Sequence, residues 1–490
     1  MAATEDENAK LAEAVERLLA DADALAGAHA PGRAGTGLGV GDREHAVLRV
    51  EGLTRLSGGA SRETWAFTAG GRELILRRDP PGRPGPPGGM GREAAAMRAC
   101  RRAGLAVPEV IAADDDGSVL GTEGLIMSWV PGEALARRIL REDAYAGARP
   151  VLAGQLGAFL GGLHAIDPAE VPGLEASDPL ADYRAAYDEI DDASPTFEAT
   201  HRWLVEHRPP PAGRTIVHGD LRLGNVIVDA DGLAAVIDWE LAHLGDPVED
   251  LAWMCVRAWR FRSPLPVAGV GTVDDLLEAY EKASGRQVDR DAFHWWLVQK
   301  TLQWGIQCMG QAAAHLTGVL RSVELAAIGR RVAEQEWDLL ELIAPDAWAA
   351  ARAEAEAEAA PPHARPTTAT TTTATTTAQV YGRPTAGELV EAVREFLSGT
   401  VMPATSGAVS FHARVAANAL AVVERELALG PAHAEAHERR LQRVGIGSTR
   451  ELCLAIRAGR FDRDDELWRA LAADVRDRLA VANPRHLASP

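Results

Sequence analysis

The segment 216–240 carries side chains of the types that phosphoryl transfer requires. It reads IVHGDLRLGNVIVDADGLAAVIDWE, with Asn225 five residues after Asp220 and with Asp238 at the end of an apolar run. Phosphoryl transfer needs a carboxylate that orients the attacking hydroxyl and accepts its proton. It also needs oxygen ligands that hold Mg²⁺ against the nucleotide phosphates. We therefore predict that Asp220 is the base and that Asn225 and Asp238 are the metal ligands.

The spacing of this motif is specific. H-G-D-x-x-x-x-N fixes four positions, so chance expects on the order of a few thousandths of a match in a chain of this length. The I-D-W that follows a second apolar strand lowers that expectation further. An Asp-rich loop between strands, without chemistry, is the alternative interpretation.

The same residues resemble the catalytic loop and the metal loop of the aminoglycoside phosphotransferase family, small-molecule kinases with a protein-kinase-like fold. The segment G-D-P-V-E-D-L-A at 245–252 is also similar to that family. The resemblance covers roughly residues 8–345. It points most closely to the subfamily related to the kinase-like domain fused to some acyl-CoA dehydrogenases. It implies ATP and Mg²⁺ as cofactors.

A glycine-rich turn lies where that family has its phosphate-covering hairpin. The resemblance assigns the phosphate contacts there to Gly58, Gly59 and Ser61, although a glycine-rich turn alone also fits a plain hairpin. The family next has a cation on the third strand, usually lysine. No lysine occurs between residues 11 and 281, and the strand L-I-L-R places Arg77 at that position. Arginine still offers a charge and a bidentate fork.

Other nucleotide contacts follow from strand parity and from the resemblance. Ile75 shares a strand face with Arg77 and would line the adenine site. Glu93 matches the glutamate that pairs with the cation, or it is a solvated residue at a helix start. The segment 124–132 resembles the hinge between lobes, where backbone groups near Met127 and Trp129 would bind adenine.

These residues must be positioned by two lobes, and the local patterns predict them. Short β-rich pieces with one inserted helix precede residue 130, and helical patterns dominate afterwards. The predicted fold class is α+β: a bilobal protein-kinase-like fold, with a small antiparallel-sheet N-lobe and a mainly helical C-lobe, plus a C-terminal all-α bundle. The predicted domains are an N-lobe (1–130), a C-lobe (131–350), a disordered linker rich in Ala, Glu, Pro and Thr (351–379), and a helical bundle (380–490).

Composition excludes several classes of function. The chain has 490 residues and a formal net charge of −19, so a nucleic-acid partner or an anionic membrane surface is disfavoured. No apolar run is long enough to span a membrane, and the acidic N-terminus is unlike a secretory signal. The four cysteines are far apart in sequence, which favours buried free thiols. We therefore expect a cytoplasmic protein.

The combined interpretation is an ATP-dependent kinase that phosphorylates a hydroxyl of a small molecule. The resemblance implies a hydroxylated acyl compound such as a hydroxyacyl-CoA. An aminoglycoside-type antibiotic kinase is one alternative, with Glu240 and the acidic run 188–192 as a cleft for a polycation. A nucleotide-binding scaffold without catalysis is another. The C-terminal bundle resembles helical domains of unknown function. A third alternative is that this bundle docks a protein partner or mediates self-association.

Overall fold

The chain folds into two compact units, each built from two stretches of sequence. The computed structural model describes residues 2–28, 48–56, 62–83, 85–190, 192–359, 383–461 and 464–487. The first unit comprises Met1–Ser177 and Pro211–Asp289, and the second comprises Asp178–Pro210 and Arg290–Pro490. Within the described ranges, no helix has both the length and the apolar character needed to cross a membrane.

A five-stranded sheet forms the N-terminal part of the first unit. Its strands are β1 (Val50–Arg55), β2 (Glu63–Ala69), β3 (Arg72–Arg78), β4 (Val110–Asp114) and β5 (Gly124–Ser128). The strand order is β1-β2-β3-β5-β4, and each neighbouring pair is antiparallel. Gly70 and Gly71 join β2 to β3 with φ of 56° and 74°, a region that glycine enters without steric cost. The predicted small antiparallel sheet is confirmed.

Two helices complete the N-terminal part of this unit. Helix α1 (Ala2–Ala28) places Leu11, Val15 and Leu18 in one buried cluster with sheet residues such as Phe67 and Leu76. Helix α2 (Gly89–Arg102) contacts β4 and β5. Since burial of apolar side chains is the main stabilising contribution to folding, these contacts fix the sheet on which the predicted nucleotide residues lie.

The remainder of the first unit contains four further helices and two short strand pairs. The helices are α3 (Ala136–Arg141), α4 (Arg149–Leu163), α7 (Val248–Trp253) and α8 (Val273–Ser284). Strand β6 (Thr215–Val217) pairs with β9 (His243–Gly245), and β7 (Val226–Val228) pairs with β8 (Leu233–Val236). A Cβ at Gly157 of α4 would lie 2.2 Å from the Leu276 carbonyl oxygen of α8. Glycine therefore allows these two helices to approach closely.

The second unit is helical throughout its described part. From residue 178 to residue 359 its helices are α5 (Pro179–Glu189), α6 (Pro195–Glu206), α9 (Arg290–Leu316), α10 (Val323–Ile328), α11 (Val332–Ile343) and α12 (Pro345–Ala359). From residue 383 onwards they are α13 (Ala386–Phe396), α14 (Met402–Ala404), α15 (Gly407–Arg443), α16 (Thr449–Arg457), α17 (Asp465–Ala482) and α18 (Pro484–Leu487).

The structure divides the second half of the chain differently from the predicted domains. The predicted linker begins at residue 351, whereas α12 remains helical to Ala359. The C-terminal helices also share a buried apolar cluster with earlier helices, in which Trp337 and Leu340 of α11 lie with Leu471 and Val475 of α17. Apolar side chains on both sides of the predicted boundary at residue 350 are therefore buried together.

Candidate active site

The β7–β8 hairpin brings the two predicted metal ligands to the same end of a strand pair. Asn225 directly precedes β7, and Asp238 comes two residues after β8. The register pairs Val226 with Val236, and the Ile237 N–H donates to the Asn225 carbonyl at 2.9 Å. The apolar strands flanking these polar residues thus determine their proximity.

The Asp220 carboxylate is held by three donors. The Asn225 side-chain amide donates to Asp220 Oδ2 at 2.6 Å, and also to the Asp220 carbonyl at 2.8 Å. On the other oxygen, Trp253 Nε1 donates to Oδ1 at 2.9 Å and Arg222 Nε donates at 3.0 Å. A carboxylate fixed in this way is oriented before a substrate arrives, which is what a positioned base requires.

A buried carboxylate supports the loop that carries Asp220. Asp250 accepts the backbone N–H groups of His218 at 2.8 Å and Gly219 at 2.9 Å, and His164 Nε2 lies 3.3 Å away. Burial alone would raise the pKa of Asp250, but the His164 hydrogen bond and the neighbouring charges and amides hold it at about 2. Asp250 therefore positions the loop that carries Asp220.

Asp238 occupies an unusual backbone conformation beside a cation. Its φ is 69°, in the left-handed region that non-glycine residues enter only at some cost. Arg77 Nη2 lies 2.6 Å from Asp238 Oδ1. Burial works to raise the pKa of this carboxyl, but the charge and hydrogen bond of Arg77 outweigh it, so the pKa is lowered overall. Asp238 is thus an anion at neutral pH, as a ligand for a hard cation must be.

Arg77 and Arg78 have different partners, as strand alternation predicts. Arg77 Nη1 lies 3.2 Å from Glu93 Oε2, in addition to the Asp238 contact. Arg78 Nη2 lies 2.9 Å from Glu63 Oε2, and its guanidinium carbon is 5.9 Å from the centre of the Trp65 ring. Glu93 is only 1% exposed. The structure thus joins Arg77, Glu93 and Asp238 in one chain of ion pairs.

Arg62 is a site residue that the sequence analysis missed. Its guanidinium pairs with Glu93 and lies 3.3 Å from Asp79 and 3.8 Å from Glu240. Burial and the charge of Arg77 lower its pKa. Strand parity offered a signal, because Thr64 is paired with Arg77 and residue 62 lies on the same face two positions earlier.

The predicted adenine residues lie on adjacent strands. Ile75 of β3 is paired with Met127 of β5, and both side chains are buried, whereas Trp129 is 40% exposed. The backbone N–H groups of Ser128 and Trp129 already donate to the carbonyls of Glu109 and Glu73. Because these two N–H groups already have acceptors, the expected adenine contacts would come from other backbone groups of residues 127–129. Gly58, Gly59 and Ser61 lie outside the described residues.

The comparisons with known proteins agree with this fold. Residues 52–296, half of the chain, match the model of the phosphotransferase enzyme family, APH. The chain therefore belongs to this family, whose fold is kinase-like. Residues 403–486 match a domain of unknown function, DUF6285.

Curated relatives include two named acyl-CoA dehydrogenase family members. Mouse acyl-CoA dehydrogenase family member 10 is 27% identical over 329 residues, which is 62% of this chain and 29% of that protein. Chicken acyl-CoA dehydrogenase family member 11 is 28% identical over 249 residues, 47% of this chain and 31% of that protein. The chain thus matches only about a third of the length of these relatives.

A solved structure shows the same fold. A protein from Ralstonia eutropha JMP134 described as a putative aminoglycoside phosphotransferase superposes with a TM-score of 0.51 at 22% identity. The match covers 67% of this chain and 98% of that one. The resemblance inferred from H-G-D-x-x-x-x-N is confirmed at the level of family and fold.

Proposed function

We propose that this protein is an ATP- and Mg²⁺-dependent phosphotransferase acting on a hydroxyl of a small molecule. The observation that carries the proposal is that Asp220, Asn225 and Asp238, which share one segment, lie with Arg77, which is distant from them in sequence. Two carboxylates, an amide and a cation are the groups that phosphoryl transfer requires. Membership of the phosphotransferase family supports the same class of reaction.

Asp220 acts on the acceptor in this proposal. The acceptor hydroxyl oxygen attacks the γ-phosphorus of ATP, its proton passes to the Asp220 carboxylate, and the bond to the β-phosphate oxygen breaks to leave ADP. The three donors that fix Asp220 orient it toward one approach direction. Such positioning supplies much of the catalysis in this chemistry.

The residues present fit a divalent cation that prefers oxygen. Asn225 and Asp238 supply an amide oxygen and a carboxylate, and Mg²⁺ commonly uses few protein ligands together with substrate phosphates and water. When bound, Mg²⁺ would neutralise part of the phosphate charge. The Asn225 amide nitrogen is engaged by Asp220, so Oδ1 is the Asn225 atom that we assign to the metal.

Nucleotide binding is assigned to the N-terminal sheet. Arg77, held by Glu93, is the proposed phosphate cation, and Ile75 and Met127 are the proposed adenine contacts. The backbone of Gly58, Gly59 and Ser61 is assigned to the phosphates on the resemblance to the family. Asp238 and Glu93 hold Arg77 in the position from which it would reach ATP.

The proposed acceptor is a hydroxylated acyl compound such as a hydroxyacyl-CoA. Support comes from the relatives named acyl-CoA dehydrogenase family members. The aminoglycoside alternative is weakened because two of the acidic groups that it would use have cationic partners. Glu240 lies 3.8 Å from Arg62, and Asp188 is paired with Arg184 at 2.6 Å.

Matched alanine variants at Arg77 and Arg78 test the proposal. Arg77→Ala should weaken Mg·ATP binding about 10- to 100-fold, because charged hydrogen bonds contribute about 1.5–3 kcal/mol each. Arg78→Ala is the control, since Arg78 pairs with Glu63 instead. Mg·ATP affinity is measured by calorimetry, and turnover by ATP consumption with a panel of hydroxyl compounds and product masses.

Arg77→Lys should retain part of the Mg·ATP affinity, because lysine keeps the positive charge but cannot form the paired hydrogen bonds of a guanidinium group. Equal tolerance of alanine at both positions would contradict the assignment of Arg77. Nucleotide binding without phosphorylation of any acceptor would instead support the scaffold without catalysis.

A further inference from the structure

Arg222 places a cation directly beside the proposed base. Its Nε lies 3.0 Å from Asp220 Oδ1, and its guanidinium carbon is 4.8 Å from the centre of the Trp259 ring. Nη1 lies 3.5 Å from the Leu223 carbonyl, and no described residue is bonded to Nη2. The side chain is 28% exposed. Arg222 is therefore oriented by Asp220 and Trp259, with part of its fork open to a further partner.

The aromatic ring beneath Arg222 belongs to a short basic segment. Residues 257–262 read R-A-W-R-F-R, and a 3₁₀ turn spans Arg257–Arg260. Trp259 is buried against Trp253, with 5.2 Å between ring centres, and Trp253 itself donates to Asp220. The segment is thus tied to the base through two indole rings. The segment also contains Arg257, Arg260 and Arg262, and Arg260 Nη2 donates to the Cys255 carbonyl at 3.1 Å.

The end of this segment has a strained backbone. Phe261 and Arg262 are consecutive residues with φ of 49° and 71°, and both side chains are exposed. Non-glycine residues in this region cost of order 1 kcal/mol or more and are concentrated at ligand sites. Such conformations persist only where the surrounding structure enforces them, so the packing around this segment holds Phe261 and Arg262 in place.

We propose that Arg222 and the segment 257–262 form a site for an anionic group of the acceptor. The proposal rests on the assignment of Asp220 as the base. It further specifies that the acceptor carries a negative charge. A carboxylate or a phosphate matches the planar arginine fork, which binds both through paired hydrogen bonds. The acceptor is therefore a hydroxyl compound that carries negative charge.

The direct contacts of Arg222 differ from those of the cations in the proposed ATP site, although its charge also helps to lower the pKa of Asp238. Arg77 and Arg62 are the cations next to Asp238 and Glu93. Arg222 instead contacts Asp220, the group assigned to the acceptor hydroxyl. A polycationic acceptor would meet repulsion from Arg222, whereas an anion would be attracted although the whole chain has a net charge of −19.

Equilibrium binding to the full chain tests the proposal. The protein is first loaded with Mg·AMP-PNP, and this step alone tests the nucleotide site. Four hydroxyl probes are then titrated by calorimetry: 3-hydroxybutyrate, glycerol 3-phosphate, neutral glycerol and cationic hygromycin B. At least one anionic probe should bind at least tenfold more tightly than glycerol and hygromycin B. Whether the carboxylate or the phosphate probe does so identifies the anion.

Arg222→Gln should remove that preference while leaving Mg·AMP-PNP affinity within about threefold. Arg102→Gln is the matched control, because Arg102 is an exposed arginine of the same unit that pairs with Glu170 at 2.9 Å. Equal binding of all probes, tighter binding of hygromycin B, or an anion preference that survives Arg222→Gln would overturn the proposal. So would a large loss of Mg·AMP-PNP affinity in Arg222→Gln, since Arg222 would then belong to the nucleotide site. Failure of the wild-type protein to bind Mg·AMP-PNP would refute the proposed kinase instead.

Discussion

Removal of the C-terminal helices should destabilise the second unit strongly. A chain that ends at Ala359 keeps α11 and α12 but loses α13 to α18. Trp337 and Leu340 are 1% and 0% exposed, and they share their buried cluster with Leu471 and Val475 of α17. The truncation therefore uncovers apolar side chains that the full chain buries.

The expected cost is a large fraction of ordinary protein stability. Fully burying a large apolar side chain contributes about 1.5–3 kcal/mol, so exposing Trp337 and Leu340 costs up to about 3–6 kcal/mol. Polar losses add to this, since Glu336 loses Arg478, whose Nη1 lies 2.7 Å from its carboxylate. Domains are typically stable by only about 5–15 kcal/mol.

Urea unfolding followed by circular dichroism and tryptophan fluorescence measures this effect. The midpoint of the first unfolding transition should occur at a lower urea concentration in the truncated chain than in the full chain, or the truncated chain should aggregate. Two point variants of the full chain control for the deletion itself. Leu471→Ala, at a buried position, should cost about 2–5 kcal/mol, whereas Leu454→Ala, at a position 58% exposed, should cost less than about 0.5 kcal/mol. An unchanged first midpoint in the truncated chain, or equal effects of the two variants, would refute the shared core.

Three further predictions concern individual charges. Asp220→Asn should remove nearly all phosphorylation while Mg·ATP affinity, measured by calorimetry, stays near that of the wild type. The reason is that the carboxylate acts on the acceptor hydroxyl and not on ATP. Near-normal turnover in this variant would contradict the assignment of Asp220 as the base. Asp238→Ala should weaken Mg·ATP binding as well as turnover, and unchanged affinity would show that Asp238 is not a metal ligand. Burial opposes the charge of Glu198, but hydrogen bonds from Arg457 and Arg184 lower its pKa below the ordinary 4.5. The stability this provides is complete above about pH 4.5 and is lost as the pH falls through the lowered pKa. Arg457→Ala should therefore lower the urea midpoint at pH 7 and shift the acid-induced loss to higher pH, and identical pH profiles would exclude the pairing.

Local patterns were sufficient to predict much of the proposed site. The interval from Asp220 to Asn225 lies in one loop, and the hairpin that brings Asn225 and Asp238 together is read from two apolar runs. Alternation along a strand separated Arg77 from Arg78, because neighbouring side chains face opposite sides. These inferences about placement were possible because they depend on residues that are close in sequence or on one strand.

Tertiary structure alone decided the contacts that join distant segments. Arg62 reaches Glu93 across 31 positions, Trp253 reaches Asp220 across 33, and Arg222 lies on Trp259 across 37. No local period or propensity encodes such pairs, because they depend on how separate elements pack. For the same reason the helical patterns predicted the C-terminal helices but not that they share a buried cluster with α11. The sequence determined the chemistry available to this protein and the elements that carry it, and packing decided which charges surround the base and which helices share a core.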